Sequence, residues 1–213
     1  MQLTKFTFNG FQENTYVLYD KTGECVIVDP GCYEPREEQE LSDFITSQKL
    51  TPKILLNTHF HLDHIFGNQF VSKTYGLTPT GCRADLPTLQ MAAQSAQLYG
   101  FGKFNESPEP GRYIDEGDQL RFGETQLEIY FTPGHAPGHI IAVHHNSKTV
   151  IGGDVLFSGS VGRTDLPGGN FTDLATSIKK KLYTLPDDYT VYCGHGPETT
   201  IGKEKKSNPF VSA

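Results

Sequence analysis

The chain has 213 residues, 36% of them hydrophobic and 20% charged, a balance typical of globular proteins and not of disordered or fibrous ones. A chain of this length can bury roughly 70% of its unfolded surface, so it needs no cross-links to fold. The net charge is −7, which would repel a phosphate backbone. The basic runs at 179–181 and 203–206 are typical of solvated faces, and we therefore expect no nucleic-acid partner.

The cellular compartment is predicted from what the sequence lacks. No apolar run reaches the ~20 residues that cross a membrane, and the first residues have no signal-peptide core. We expect a cytoplasmic protein that acts without a membrane. The four cysteines, Cys25, Cys32, Cys82 and Cys193, form no C-x-x-C pair, which indicates reduced thiols.

The hydrophobic pattern predicts strands and helices in alternation. In the first half we expect strands at 16–19, 26–28 and 54–56, and helices at 36–49, 64–75 and 86–99. A loop rich in Pro, Gly and Phe follows at 100–111. The second half predicts strands at 126–131, 140–144, 149–151 and 189–192, with a helix at 173–185. No linker or repeat appears, so we interpret residues 1–213 as one α/β domain with two sheets.

The run THFHLDH at 58–64 places four potential metal ligands directly after a predicted strand. Alternate side chains of an extended segment project the same way, so His59, His61 and Asp63 can converge. His64 turns away at the start of the next helix. Imidazoles suit Zn²⁺ or Fe²⁺, and a carboxylate adds negative charge for a second ion. The run supplies about two ligands to each of two metals, so it predicts further ligands elsewhere.

Three later segments are candidates for those ligands. They are TPGH ending at His135, GGD ending at Asp154, and CGHGP around His195. Each follows a predicted strand and contains glycine, which allows tight turns and close approach of the backbone. Ligands in open α/β sheets collect beyond the carboxyl ends of the strands. We therefore expect these three side chains to join the first run.

The order and spacing of these residues resemble the metallo-β-lactamase superfamily over nearly the whole chain. The resemblance implies an αββα four-layer sandwich with two mixed β-sheets inside and helices outside. It also implies a ligand set for two divalent metal ions. In that set His59, His61 and His135 bind the first ion, Asp63, His64 and His195 bind the second, and Asp154 bridges them.

Within the superfamily the chain resembles glyoxalase II, the hydroxyacylglutathione hydrolases, and in particular their short, single-domain bacterial branch. The similar phrases are TPGHAPG at 132–138, GDVLF at 153–157, GRTDLPGG at 162–169 and GHGP at 194–197. Asp154 and His64 differ from the pattern of true β-lactamases, and His61 differs from the Glu of flavo-diiron relatives. Few residues follow His195, so we expect no C-terminal glutathione-binding helical domain.

The resemblance implies hydrolysis of a thioester, such as S-D-lactoylglutathione, by attack of a metal-bound hydroxide. Zinc is the favoured metal, and Fe²⁺ and Mn²⁺ suit the same ligands. A thioester fits because its thiol, with a pKa near ~8.5, leaves without an acid catalyst. Asp63 is a ligand that can also orient the hydroxide, and Arg163 is the candidate for a substrate carboxylate. Asp29 and His139 are candidates for holding the ligand loops.

Other functions remain open at this point. A persulfide dioxygenase-like enzyme would use one iron held by two histidines and an aspartate, and the same site could hydrolyse another ester or thioester. A nuclease of the superfamily is disfavoured by the net charge. A binding module held together by metal would need closed coordination without water.

Overall fold

The computed structural model describes residues 1–102 and 104–213. Position 103, within the loop predicted at 100–111, lies outside the described residues. The strands are β1 Gln2–Phe8, β2 Glu13–Tyr19, β3 Glu24–Val28, β4 Thr51–Leu56, β5 Pro79–Gly81, β6 Arg112–Tyr113, β7 Gln119–Phe122, β8 Thr125–Phe131, β9 Ile140–His144, β10 Thr149–Gly153, β11 Leu156–Phe157, β12 Ser160–Val161, β13 Thr190–Cys193 and β14 Thr199–Thr200. The helices are α1 Pro35–Ser47, α2 Leu62–Ile65, α3 Asn68–Tyr75, α4 Leu86–Gln90, α5 Ala92–Leu98, α6 Phe171–Ser177 and α7 Ile201–Ser207, with a 3₁₀ turn at Arg83–Asp85 and a π-helical turn at Ile178–Leu182.

Two six-stranded mixed sheets form the centre of the molecule. The first has the order β1-β2-β3-β4-β5-β6, antiparallel from β1 to β3 and parallel from β3 to β6. The second has the order β14-β13-β10-β9-β8-β7, in which only β10 and β13 pair in parallel among the described strands. β11 and β12 form a separate hairpin.

The layers follow from the alternation of apolar side chains along the strands. Leu18 and Val26 of the first sheet pack against Leu127 and Ile129 of the second, which makes the interior of the sandwich. The next residue along a strand faces the other way, and so Val17, Ile27 and Leu55 pack against α1 at Leu41 and Ile45. On the second sheet, Ile141, Val143 and Val191 pack against Leu174 of α6 and the π-helical turn. The order is helix, sheet, sheet, helix.

Three predicted helices are interrupted in the structure. The helix expected at 64–75 is divided into α2 and α3 at Gly67, whose amide donates to the carbonyl of Pro30 at 2.7 Å. A Cβ on Gly67 would overlap the Sγ of Cys32, so this position requires glycine. The helix expected at 86–99 is divided at Met91, and that expected at 173–185 passes from α6 into the π-helical turn.

No helix among residues 1–102 and 104–213 is long and apolar enough to span a membrane. All four cysteines are buried and free.

Candidate metal centre

The candidate ligands lie in four loops that follow strands of both sheets. The segment after β4 carries His59 to His64, and the loop after β8 carries His135. Asp154 follows β10 and His195 follows β13. A Cβ on Gly194 would overlap the Oδ1 of Asp154, so this glycine lets the β10 and β13 loops approach each other.

The first group contains His59, His61 and His135, each offering a ring nitrogen within 4.8 Å of the others. His61 Nδ1 lies 2.8 Å from His135 Nε2, and His135 Nε2 lies 3.3 Å from His59 Nε2. His59 and His135 are buried. The structure thus brings together the three histidines expected at one metal.

The second group contains Asp63, His64 and His195, also within 4.8 Å of one another. Asp63 Oδ2 lies 3.2 Å from His195 Nε2 and 3.7 Å from His64 Nε2. His64 is fully buried, whereas Asp63 and His195 are partly exposed. Asp63 and His195 therefore remain accessible from solvent.

Asp154 lies between the two groups. Its Oδ2 is 3.5 Å from His135 Nε2 and 3.5 Å from His195 Nε2, and its Oδ1 is 3.6 Å from His64 Nε2. One carboxylate therefore faces imidazoles of both groups, as expected of a bridging residue.

Hydrogen bonds on the far side of each ring determine which nitrogen faces the centre. His135 Nδ1 donates to the carbonyl of Arg163 at 2.8 Å, which leaves its Nε2 without a proton when the ring is neutral. The Thr58 hydroxyl donates to Asp29 and accepts from His59 Nδ1 at 3.0 Å. His59 Nε2 and His135 Nε2 then present lone pairs to each other at 3.3 Å. A cation between them would turn this repulsion into coordination.

In the second group, buried polar atoms that face the centre also lack partners that a cation would provide. His64 Nδ1 donates to Asp29 Oδ2 at 3.2 Å, and its Nε2 is buried without a hydrogen-bond partner among the described residues. The same holds for Asp154 Oδ1, 3.6 Å away. A buried polar atom without a partner costs about 1–3 kcal/mol. Imidazole nitrogen and carboxylate oxygen are both ligands of divalent transition metals, so the residues present fit such ions.

The protonation states of the first group suit metal binding. Burial lowers the pKa of His59 well below its ordinary value, with the neighbouring histidines adding to the effect. Burial likewise lowers the pKa of His61 to about 3. Neutral imidazole is the form that binds a metal, so no proton has to be displaced from these two rings at neutral pH.

In the second group, the neighbouring carboxylates determine the protonation states of the histidines. Burial opposes the charge on His64, but Asp154 and Asp63 raise the pKa of His64 well above its ordinary value. Burial also opposes the charge on His195, but its hydrogen bonds to Asp154 and Asp63 raise its pKa to about 10. Without a metal these imidazoles carry the positive charge that balances the carboxylates.

Asp29 and His139, the two candidates for holding the ligand loops, form hydrogen bonds to these loops. Asp29 Oδ1 accepts from the Thr58 amide at 2.7 Å, and its Oδ2 accepts from the Thr58 hydroxyl at 2.6 Å as well as from His64. His139 Nε2 accepts from the Asp154 amide at 3.0 Å. These bonds hold the 58–64 segment and the start of the Asp154 loop.

Three buried polar residues at the site were not predicted from the sequence. Asn14 Nδ2 donates to the carbonyls of Cys193 and Gly196 at 3.0 and 2.9 Å, on either side of His195. Glu13 is buried, and its Oε1 lies 3.9 Å from His64 Nδ1. Asp85 accepts from the Phe60 amide and the Gly138 amide and so joins the first two ligand loops. For Glu13 and Asn14 the sequence signal was a Glu-Asn pair at the start of the apolar strand β2.

A cavity of about 420 Å³ opens over the centre. His61, Asp63, His135, Asp154 and His195 line its base, and one wall is formed by the face of α4 and α5. The lining also includes the β11–β12 hairpin and the loop after it, with the predicted Arg163. The arrangement exposes both groups to a small molecule.

Comparisons with known proteins agree with this architecture. The family model described as the metallo-beta-lactamase superfamily matches residues 8–195. The hydroxyacylglutathione hydrolase GloC of Haemophilus influenzae is 35% identical over 214 residues, covering 100% of this chain and 99% of the relative. The chain is also similar to the crystal structure of BLEG-1 B3 metallo-beta-lactamase, at a TM-score of 0.90 and 33% identity, with 100% of both chains covered. The crystal structure of TTHA1623 in a di-iron-bound form gives a TM-score of 0.88 and 36% identity, covering 98% of this chain and 100% of that one. These TM-scores confirm the predicted αββα fold.

Proposed function

Because the chain belongs to the metallo-β-lactamase superfamily, we propose that it is a metal-dependent hydrolase that cleaves thioesters. The observation that carries the proposal is Asp154, whose two oxygens face imidazoles of both groups at the base of an open cavity. The relative named hydroxyacylglutathione hydrolase, which matches over the full chain, supports a thioester as the substrate.

Two divalent ions, which we propose to be zinc, would polarise the acyl carbonyl and lower the pKa of a water at the site. His59, His61 and His135 would hold one ion, and Asp63, His64 and His195 the other, with Asp154 shared. The di-iron form of a similar structure makes iron the main alternative metal. Metal analysis of protein expressed without added metal distinguishes zinc from iron.

The side chains of this protein orient the reactants. Asp63 is partly exposed to the cavity and presents an Oδ2 that can accept a hydrogen bond from the attacking water. Phe60 and Leu62 line the same cavity and exclude bulk water from the reacting carbonyl. The water oxygen forms the new C–O bond while the C–S bond breaks, and sulfur leaves with the bonding electron pair. The sulfur then takes up one proton of the water, and the other proton is released from the acid product.

A thioester matches this site better than an amide does. A thiol with a pKa near ~8.5 can leave as the thiolate, whereas an amine must be protonated as it leaves. The β-lactam bond is an amide, and one similar structure is described as a B3 metallo-beta-lactamase, so β-lactam hydrolysis is the competing reaction.

The test compares the zinc-loaded chain with the metal-stripped chain on S-D-lactoylglutathione, followed by the loss of thioester absorbance. We expect hydrolysis that disappears on stripping and returns with zinc, and much slower opening of a penicillin. Iron-loaded protein given glutathione persulfide should consume no oxygen. Failure to hydrolyse this and simple acyl thioesters, or faster opening of the penicillin, would overturn the proposal.

A further inference from the structure

The cavity walls beside the metal centre are largely apolar. On one side, the lining side chains of α4, α5 and their flanking residues recur at three- and four-residue spacings and so share one helix face: Thr88, Met91, Ala92, Ser95 and Tyr99. On the other side are Phe157 and Val161 of the β11–β12 hairpin. We call the space between these two walls the apolar groove. It opens directly onto Asp63, Asp154 and His195.

The positive charge at the rim of the groove is already paired. Arg163 Nε donates to Asp165 Oδ1 at 2.7 Å, and Arg163 Nη2 donates to Asp165 Oδ2 at 2.8 Å. This is the two-pronged geometry with which a guanidinium binds a carboxylate. Arg163 is the only Lys or Arg among the described residues that line the cavity. A carboxylate of the substrate would have to share the guanidinium with Asp165, whose charge already balances it.

The chemistry of the products indicates which part of a thioester occupies the groove. After cleavage the acid product keeps its carboxylate at the metal centre, so its hydrocarbon part can stay in the groove. The thiolate sulfur, by contrast, is charged as it leaves, and an apolar environment would raise the free energy of that charge. The sulfur is better placed toward the solvent side of the cavity. The groove is therefore on the acyl side of the scissile bond.

We propose that the apolar groove binds the acyl group, and that the preferred substrates are thioesters of small aliphatic or aromatic acids. An anionic thiol such as glutathione gains no advantage over a neutral one, because Asp165 occupies Arg163. This inference rests on the proposed thioester hydrolysis and names its substrate class.

The experiment measures kcat/KM of the zinc-loaded full chain on a panel of thioesters. Acetyl, butanoyl, benzoyl and D-lactoyl groups are each attached to N-acetylcysteamine, which is neutral, and to glutathione. Burial of one methylene corresponds to about a fourfold change in kcat/KM, so butanoyl, with two more methylenes, should exceed acetyl by about fifteenfold. Butanoyl should also exceed D-lactoyl on both thiols. Equal rates for acetyl and butanoyl, or a preference for D-lactoyl, would overturn the inference.

Two apolar residues at the two ends of α5 provide a matched pair of variants. Met91 lines the groove, whereas Leu98 lies further along the same helical segment, is 80% exposed and is not among the lining residues. Met91→Gln should reduce the butanoyl-to-acetyl ratio of kcat/KM several-fold. Leu98→Gln should leave the ratio as it is. If both variants change the ratio equally, the groove does not select the acyl group.

A second pair of variants tests the role of the ion pair. Asp165→Asn releases the Arg163 guanidinium, so the glutathione thioesters should improve about twofold to fivefold relative to the N-acetylcysteamine thioesters. The double variant Arg163→Ala, Asp165→Asn should lose that gain. A strong preference for glutathione in the unmodified chain would contradict the inference.

The panel separates failure of this inference from failure of the proposed function. If hydrolysis requires the metal but kcat/KM is the same for every acyl group, thioester hydrolysis is supported and only the proposed substrate class is wrong. No hydrolysis of any thioester by the zinc-loaded chain would remove both.

Discussion

The Nδ1–H of His195 donates a hydrogen bond to the backbone carbonyl of Phe11 at 3.1 Å. A carbonyl can only accept, so the proton of a neutral His195 ring lies on Nδ1 and Nε2 faces Asp63 and Asp154. The ring of Phe11 lines the cavity and packs edge-on against Tyr99 at 5.5 Å between centroids. One residue thus orients a candidate ligand through its backbone and forms part of the cavity wall with its side chain.

His195→Ala should reduce the metal content from about two ions to about one per chain. The second group then keeps only Asp63 and His64, whereas the first group keeps all three of its histidines. Metal analysis after gel filtration measures the change. His145→Ala is the control, because His145 is exposed and bonds to Glu128 and Tyr189 outside the site. Retention of both ions in the His195 variant would contradict the assignment.

Asn14→Ala should weaken the second metal by about tenfold, because second-layer hydrogen bonds of this kind contribute 10–100-fold to metal affinity. The variant leaves the carbonyls of Cys193 and Gly196 without the amide that now fixes them around His195. Competition with a coloured chelator measures the affinity of each ion separately. Thr7→Val, which removes only a hydroxyl that donates to Asn14, should have a smaller effect. Equal loosening of both ions would indicate a general loss of stability instead.

The sequence predicted several strands and the clustering of the candidate ligands from local rules, whereas the division of the ligands into two groups came from the family resemblance. Strand β9 has the bounds expected from its apolar run, and the extended segment of His59, His61 and Asp63 follows a buried strand. The contacts across the sandwich could not be predicted in this way. Asn14 and His195 are 181 positions apart, and their loops meet only because β2 and β13 belong to sheets that pack together.

The contacts of Arg163 likewise could not be predicted from the sequence alone. Its place at the cavity was predicted from a short phrase around it, and the structure has it there. Its partner Asp165 is only two residues away, but whether a guanidinium faces a neighbour or a ligand depends on the loop conformation. That conformation is fixed by tertiary bonds such as the one from His135 to the Arg163 carbonyl.

Removal of the metals should lower the thermal stability of the protein. Without a cation, the lone pairs of His59 and His135 face each other, and His64 Nε2 and Asp154 Oδ1 lack partners. Zinc at about 100 times its dissociation constant should add about 2.7 kcal/mol to the free energy of unfolding. This corresponds to a rise in Tm of roughly 5–10 °C. Calorimetry with and without chelator provides the measurement, and an unchanged Tm would argue against a metal site.

Asp154→Ala should lose metal and activity together, with turnover reduced by more than about a hundredfold. The variant removes the carboxylate that lies within 3.6 Å of imidazoles in both groups. Metal content and thioester hydrolysis are measured on the same sample. Asp165→Asn, at the rim of the cavity, is a carboxylate control that should keep both ions. Normal turnover with two ions in the Asp154 variant would defeat the bridging assignment.

Asp85 should make the stability of the metal-free protein depend on pH in a predictable direction. The carboxylate is fully buried and accepts from the amides of Phe60 and Gly138 at 2.5 and 3.1 Å. Burial raises the pKa of Asp85 to about 6, even though these hydrogen bonds favour the charged form. An acid whose pKa is higher in the folded state binds a proton there first, so its contribution to stability increases as the pH falls.

The measurement compares the metal-free chain with the variant Asp85→Asn, which cannot titrate at this position. As the pH falls from about 6 to about 5, protonation of the folded Asp85 goes from about half to nearly complete, whereas the unfolded one, with a pKa of about 3.9, stays largely charged. The difference in unfolding free energy between the two proteins should therefore grow by about 1 kcal/mol in favour of the unmodified chain. Urea unfolding curves at the two pH values give this difference directly. A difference that stays constant or shrinks over this interval would show that Asp85 is not held as a buried carboxylate between the two ligand loops.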